Sequence, residues 1–349
     1  MKGSKIKSIS ILLALTSVIT FSAPSFANEN DAYWHETKAV REDNKFSDWM
    51  GSVDGNKRVS ELSIPGTHDS LAYGKMPVPN IAKTQTMDLI QQLNSGIRYF
   101  DVRVAHEGDH FQLYHGSIRL GSNLSGVLTT FGEFLKDHPT ETVLMRFKQE
   151  HTHANDEQMR ELFNKYMEEF GDLFWNPDES SDRDNPTLDE LRGKICLISD
   201  VLSITNGINY RNLDIQDNYH LRTNWQLYDK WNDVKNQINR ANSDSDNAIV
   251  LNYLSGSGGS FPYFVASGKS SSGTYAPRLL TGLTEPGFRR RYPDFPRVGR
   301  WGIFASIAFE GTNELSANYI LNNNIRHTGI VAADFPGEKL INSIINLNY

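Results

Sequence analysis

Two histidines, an arginine and several carboxylates stand where the chain changes character. In LSIPGTHDSLAYGK (62–75) an apolar run stops at Pro65-Gly66 and gives way to Thr67, His68, Asp69 and Ser70. A second histidine, His115, follows the alternating run FQLY, and Arg103 lies between the two on YFDVRVA, two residues after Asp101. Side chains along a strand alternate with period two, so Asp101 and Arg103 share a face. Imidazole, with an ordinary pKa near 6.5, takes and gives protons close to neutrality. Two such rings and a guanidinium suit attack by a neighbouring hydroxyl on a phosphodiester. One ring deprotonates the attacking oxygen, the other protonates the leaving oxygen, and the arginine stabilises charge on the phosphate.

These groups need a scaffold that gathers strand ends. Short apolar runs recur along the chain: ELSIPGTH, GIRYFDVRV, TETVLMRFKQE, GKICLISD, NAIVLNYLS, GIFASIAFE and TGIVAADF. Between them, TMDLIQQLNSG, LTTFGEFLKDHP, NDEQMRELFNKYMEEFGDLF, DKWNDVKNQINRAN and ANYILNNN place apolar residues at three- and four-residue steps, which predicts helices. Alternating strands and helices imply a largely parallel sheet. No stretch reads as an interdomain linker, which favours a closed single-domain α/β barrel over an open sheet. Polar groups cluster at the strand ends: His68-Asp69, Asp101 with Arg103, Lys148, Asp200 and Asp334. In a (β/α) barrel that is the face that carries the active site. Strands often end on a charge, but five such ends directed to one mouth point to function.

Residues 1–27 read as a secretory signal peptide: Lys2, Lys5 and Lys7, an apolar stretch, then Ser25-Phe26-Ala27. The stretch is short and broken by Ser and Thr, unlike a membrane anchor. The expectation is a secreted, extracellular, soluble monomer of residues 28–349. Its loss of three lysines and no acid takes the formal charge from -7 to about -10. Such a surface has no general attraction to nucleic acid, so no nucleic-acid partner is expected. Cys196 in GKICLISD reads as core packing, with no partner for a disulfide. Glu150, His151 and His153 in QEHTHAND have no further ligand cluster, so they read as an exposed loop, and neither metal nor cofactor is expected. GFRRRYPDFPRVGRW mixes arginines with aromatics; of the two readings, local contact with lipid headgroups and a solvated loop, the solvated loop is the expectation.

SIPGTHDS, YFDVR and LYHG, in that order and spacing, resemble the X region of bacterial phosphatidylinositol-specific phospholipase C. PTETVLMRFKQE and GIVAADF resemble later strands of that family, and the resemblance runs from about Trp49 to the C-terminus. It implies a distorted (β/α)8 barrel of the TIM type, and cleavage of membrane phosphatidylinositol to diacylglycerol and inositol 1,2-cyclic phosphate. Some relatives also act on glycosylphosphatidylinositol anchors. By matched position, His68 would be the base on the inositol 2-hydroxyl, oriented by Asp334. His115 would be the acid toward diacylglycerol with Asp69 as its partner. Arg103, steadied by Asp101, would bind phosphate, while Lys148, Asp217 and Tyr219 would meet inositol. The family usually carries an arginine where this chain has Asp200, so Asp200 is expected to accept from inositol hydroxyls, or Arg211 to substitute. The tryptophans such enzymes insert into membranes have no clear counterpart at 77–80 or at Phe261. A calcium-dependent phospholipase C or a glycerophosphodiesterase would want carboxylates where Arg103 stands. A non-catalytic inositide-binding protein would need neither acid nor base.

Overall fold

The computed structural model describes residues 32–33, 46–74, 79–243, 247–270 and 276–349. The expected signal peptide lies outside them, as do residues 75–78. Strands β1 (Ile64–Thr67), β2 (Tyr99–Glu107), β3 (His110–His115), β4 (Ile118–Asn123), β5 (Val143–Gln149), β6 (Ile195–Ser199), β7 (Ile208–Asn209) and β8 (Asp214–Gln216) occupy the first two thirds. The last third holds β10 (Val250–Tyr253) and β15 (Ile330–Ala333), the small pair β9 (His220–Leu221) with β11 (Ser257–Gly258), and an antiparallel sheet of β12 (Leu280–Glu285), β13 (Arg297–Trp301) and β14 (Phe304–Ala308). Eight strands run parallel in the order β7-β6-β5-β2-β1-β15-β10-β8.

Side chains show that this sheet curls round on itself. Tyr99 on β2 and Tyr253 on β10 are separated by two intervening strands, yet their hydroxyls lie 2.8 Å apart. Arg146 on β5 reaches the same Tyr253 hydroxyl at 3.0 Å. The interior is therefore packed by side chains, as in a barrel. Gly66 on β1 has no room for more: a Cβ there would meet the Tyr99 Cβ at 2.8 Å. The expected distorted α/β barrel is present, but it is not closed by hydrogen bonds. Among the described residues no ladder joins β7 to β8, and the chain crosses that seam through the turn Tyr210–Asn212.

Helices cover the outside, and the apolar periodicity placed five of them, those that start at residues 89, 124, 156, 227 and 312. The set is α1 (Pro79–Ala82), α2 (Leu89–Asn94), α3 (Leu124–Asp137), α4 (Asp156–Phe170), α5 (Leu188–Leu191), α6 (Leu227–Asn242), α7 (Pro262–Ser267), α8 (Thr312–Asn322) and α9 (Glu338–Ile345). In α3, Leu124, Val127, Leu128, Phe131, Phe134 and Leu135 form one buried stripe, and Asn123 caps its first turn by accepting from the Gly126 amide. Cys196 is buried in β6 as expected, its thiol pushed up to about 12 by burial. Two readings are corrected. GIFASIAFE supplies β14 of the outer antiparallel sheet rather than a barrel strand, because its alternation is the same in either setting. GFRRRYPDFPRVGRW is a structured turn leading into β13, held by burial of Tyr292 and Phe295.

A buried ion pair ties the entries of β2 and β5 together. Arg98, fully buried, donates from Nε and Nη2 to Glu141 Oε2 at 3.0 and 2.8 Å and from Nη1 to the carbonyls of Leu93 and Ile97 at 2.8 Å. Glu141→Gln strands that guanidinium in a dry interior. The substitution is expected to lower unfolding free energy by about 3–5 kcal/mol, read by denaturant titration.

Candidate active site

Parallel pairing aligns Thr67 with Ala333, so the next residues, His68 and Asp334, leave neighbouring strands side by side. His68 Nδ1 lies 2.8 Å from Asp334 Oδ1, and Nε2 lies 2.7 Å from Arg103 Nη2. A guanidinium only donates, so Nε2 accepts and the ring proton sits on Nδ1, donated to Asp334. Burial, and then the charge of Arg103, hold His68 well below its ordinary pKa. The shift favours the neutral ring, whose single Nε2 lone pair accepts from Arg103, and the ring serves as a general base once a substrate hydroxyl takes the place of that donor. Burial, with the Asp69 charge adding to it, pushes the Asp334 carboxyl well above the usual range. A proton taken up by His68 supplies the counter-charge that this carboxyl lacks.

Asp69 faces elsewhere. Its φ of 42° puts it in the left-handed region, which costs a non-glycine residue about 1–3 kcal/mol. Its amide donates to Asp101 Oδ2 at 3.2 Å and its carbonyl accepts from Thr84 Oγ1 at 2.8 Å, bonds that hold the strained turn. The carboxylate Oδ2 then stands 3.3 Å from His115 Nδ1 and 3.4 Å from Arg103 Nη1. The hydrogen bond from His115 Nδ1 goes to the Ala82 carbonyl at 2.6 Å, with Asp69 beside it as a charge. That bond fixes the ring and leaves Nε2 for a substrate. Gly116, at φ 56°, turns the β3–β4 hairpin directly after His115.

Burial raises Asp69 to about 6, although Arg103 and His115 oppose the shift. Below pH 6 the carboxylate is protonated and no longer supports an imidazolium at His115. Turnover is therefore expected to fall as pH drops through about 6, and Asp69→Asn to remove that limb from the pH–rate profile. Burial and the Arg103 charge lower the pKa of His68, which favours its neutral form, so the limb is assigned to Asp69. The linkage has the opposite sense for the fold. Folded Asp69 keeps its proton to higher pH than the unfolded chain, so its contribution to stability falls as pH rises from about 4 to about 6.

Arg103 is held from three sides. Nε and Nη2 donate to Asp101 Oδ2 at 3.1 and 2.8 Å, and Nη1 lies 3.4 Å from both oxygens of Glu150. The other Asp101 oxygen accepts from Arg146 Nη1 at 3.2 Å. Burial opposes charge on Asp101, but the two guanidiniums hold it far below the usual carboxylate range. Arg146 Nη2 donates to Asp200 Oδ2 at 2.7 Å, and the guanidinium sits 3.9 Å over the Tyr210 ring. Asp200, expected to meet inositol, has its Oδ2 engaged by Arg146 and is not among the residues that line the cavity at this face of the barrel. Arg211 does not line it either.

A cavity of about 430 Å³ opens at this face of the barrel. His68, Arg103, His115, Lys148, Asp217, Tyr219 and Asp334 line it, while Asp101 lies beneath, fully buried. Lys148 pairs in register with Arg103 on the next strand, which sets two cations side by side. Three neighbours escaped the sequence reading as site residues. Glu150 lines the cavity and fixes both Arg103 and the Gly116 amide, the latter at 3.0 Å. Ser255 lines it with a buried hydroxyl that has no protein partner. Arg146 shares the inward face of β5 with Lys148, two residues on, a period-two signal that was available in MRFK.

The chain matches the family model described as phosphatidylinositol-specific phospholipase C, X domain, over residues 60–200. It is 30% identical over 317 residues to a 1-phosphatidylinositol phosphodiesterase of Listeria monocytogenes, covering 86% of this chain and 84% of that one. A protein of the same name from Staphylococcus aureus is 31% identical over 246 residues, 61% of this chain and 76% of that one. The structure superposes on the phosphatidylinositol-specific phospholipase C from Listeria monocytogenes with a TM-score of 0.63 at 27% identity, covering 87% of this chain and 99% of that one. On this identity and coverage, and with the fold in common, the chain belongs to the bacterial phosphatidylinositol-specific phospholipase C family.

Proposed function

We propose that this protein cleaves phosphatidylinositol to diacylglycerol and inositol 1,2-cyclic phosphate. The observation that carries the reading is the meeting of His68, Arg103 and His115 at one cavity, with His68 held by Asp334 through Nδ1 and bonded to Arg103 through Nε2. The inositol 2-hydroxyl oxygen forms the new bond to phosphorus as His68 Nε2 takes its proton. The bond from phosphorus to the glycerol oxygen breaks, and His115 Nε2 protonates that oxygen. Arg103, with its donors fanned by Asp101, Asp69 and Glu150, faces the phosphate. Lys148, Asp217 and Tyr219 hold the ring from the cavity walls. The carboxylates around Arg103 are engaged with its guanidinium, which disfavours a calcium ion in that place.

A phosphorus NMR time course on phosphatidylinositol tests this reading. A cyclic phosphodiester signal is the expected first product. A 2-O-methyl inositol analogue should bind without being cleaved, and phosphatidylcholine should be inert because choline has no hydroxyl positioned to attack. Rapid hydrolysis of either would mean direct attack by water, the glycerophosphodiesterase chemistry. Glycosylphosphatidylinositol anchors carry the same inositol phosphodiester, and we extend the reaction to them. The basic and apolar composition of residues 1–27 supports action outside the cell, and we further propose that the protein acts there as a monomer. Culture supernatant analysed by N-terminal sequencing and light scattering checks both.

A further inference from the structure

The two most exposed large apolar side chains among the described residues share one hairpin. Between β13 and β14 the chain turns at Trp301-Gly302-Ile303-Phe304, with Trp301 79%, Ile303 75% and Phe304 46% exposed. The Trp301 and Phe304 rings stack, with centroids 6.3 Å apart and planes 18° apart. Glu285 on β12 pairs with Ala305, so the loop that begins there sets Phe288, 49% exposed, toward the same end of the sheet. This is not a loose segment. Below the tip, Tyr292 and Phe295 are buried against Tyr228, and Asp294 accepts from Trp231 Nε1 at 2.7 Å and Lys235 Nζ at 2.8 Å. Arg297 donates to Glu285 Oε1 at 2.8 Å and to the Tyr292 and Phe295 carbonyls at 2.6 and 2.5 Å. A rigid base holding several apolar groups in water is unfavourable unless something covers them.

Charge and position indicate what does. Residues 285–304 carry five arginines against two carboxylates, in a chain whose formal charge is -7. Both carboxylates are paired, Glu285 with Arg297 and Asp294 with Lys235, while Arg289, Arg290 and Arg300 are exposed. The hairpin belongs to the connection that leaves the mouth end of β10 and returns at α8. Ser255 to Gly258, the start of that connection, wall the catalytic cavity. On the reading above, the substrate's headgroup enters this mouth while its acyl chains stay in a bilayer, so the start of the connection, residues 255–258, borders the lipid.

We propose that the hairpin tip docks the protein on an anionic lipid surface, with Trp301, Ile303 and Phe304 entering the interface and Arg289, Arg290 and Arg300 among the headgroup phosphates. The inference rests on the proposed lipid substrate, and the test separates the two. Full-length protein is sedimented with vesicles of phosphatidylcholine alone and with phosphatidylglycerol added, neither of which carries an inositol headgroup. Binding is expected to be stronger to the anionic vesicles. The Trp301→Ala/Ile303→Ser variant should weaken it by about 10-fold or more, as expected for withdrawing large apolar side chains from an apolar phase. Arg289→Ala/Arg290→Ala/Arg300→Ala should abolish the preference for anionic vesicles. Both variants should turn over a soluble inositol phosphodiester at the wild-type rate. Undiminished vesicle binding by the tip variant overturns the proposal. So does a concentration-dependent dimer that the same substitutions dissolve, with no binding to vesicles. Hairpin-dependent vesicle binding without cleavage of the soluble phosphodiester would uphold the docking surface and refute the proposed reaction.

Discussion

Alanine at His68, or at His115, is expected to lower turnover of a soluble inositol phosphodiester by about 10²–10⁴-fold, the usual contribution of a general acid or base. The two losses arise at opposite ends of one proton movement. Without His68 the 2-hydroxyl has no acceptor aligned by Asp334 at 2.8 Å. Without His115 the departing glycerol oxygen leaves as an alkoxide. Because both rings act in one transition state, the double variant should fall well short of the product of the two single effects. Each ring is partly buried at a strand end, and its main partners lie on other segments (Asp334 and Arg103 for His68, the Ala82 carbonyl for His115). Circular dichroism and the unfolding midpoint should therefore be recorded beside initial rates. Near-wild-type turnover in a folded variant of either kind would remove that ring from the mechanism.

Arg103→Lys is expected to cost about 10²–10³-fold although the charge is kept, the size of effect seen when an aligned donor to a developing anion is lost. The planar fork is what the surroundings have built: Nε and Nη2 converge on Asp101 Oδ2 while Nη1 points between Asp69 and Glu150. A lysine ammonium is a single point of charge and cannot hold these directions and a phosphate together. The companion measurement is turnover in EDTA with and without added calcium, on the soluble phosphodiester so that lipid packing plays no part. Rates should be indifferent to both. Loss in EDTA with recovery in calcium would reassign Asp69 and Asp101 as metal ligands.

Much of this site was legible because its chemistry lies in residue types at strand ends. The runs ending at His68 and Asp334, and the YFDVR and LYHG segments, are local patterns, and local patterns survive in a sequence. Asp200 shows where that stops. Its position after β6 was visible, but its partner is Arg146 on β5, and only the packed interior sets that pair at 2.7 Å. A carboxylate near an active site reads as a ligand until a neighbouring strand is seen to supply its counter-charge. Glu150 reads as part of an exposed loop for the same reason, whereas the fold turns it onto Arg103.

By itself the sequence determined the reagents and the scaffold class. Short apolar runs alternating with helical periodicity specify a parallel α/β sheet, and the residue types at its strand ends suit proton transfer at a phosphodiester, the reaction that the family resemblance implies. Tertiary structure decided which reagents meet. Strand register, a non-local property, brings residues 68 and 334 within 2.8 Å across 266 positions of chain. The φ of 42° at Asp69 then separates two adjacent side chains into different halves of the site. Closure, the seam between β7 and β8, and the exposure of Trp301 and Ile303 were likewise settled by packing. An alternating apolar run satisfies a barrel strand and an outer hairpin equally well, and only the elements packed against it determine whether it ends in the core or in solvent.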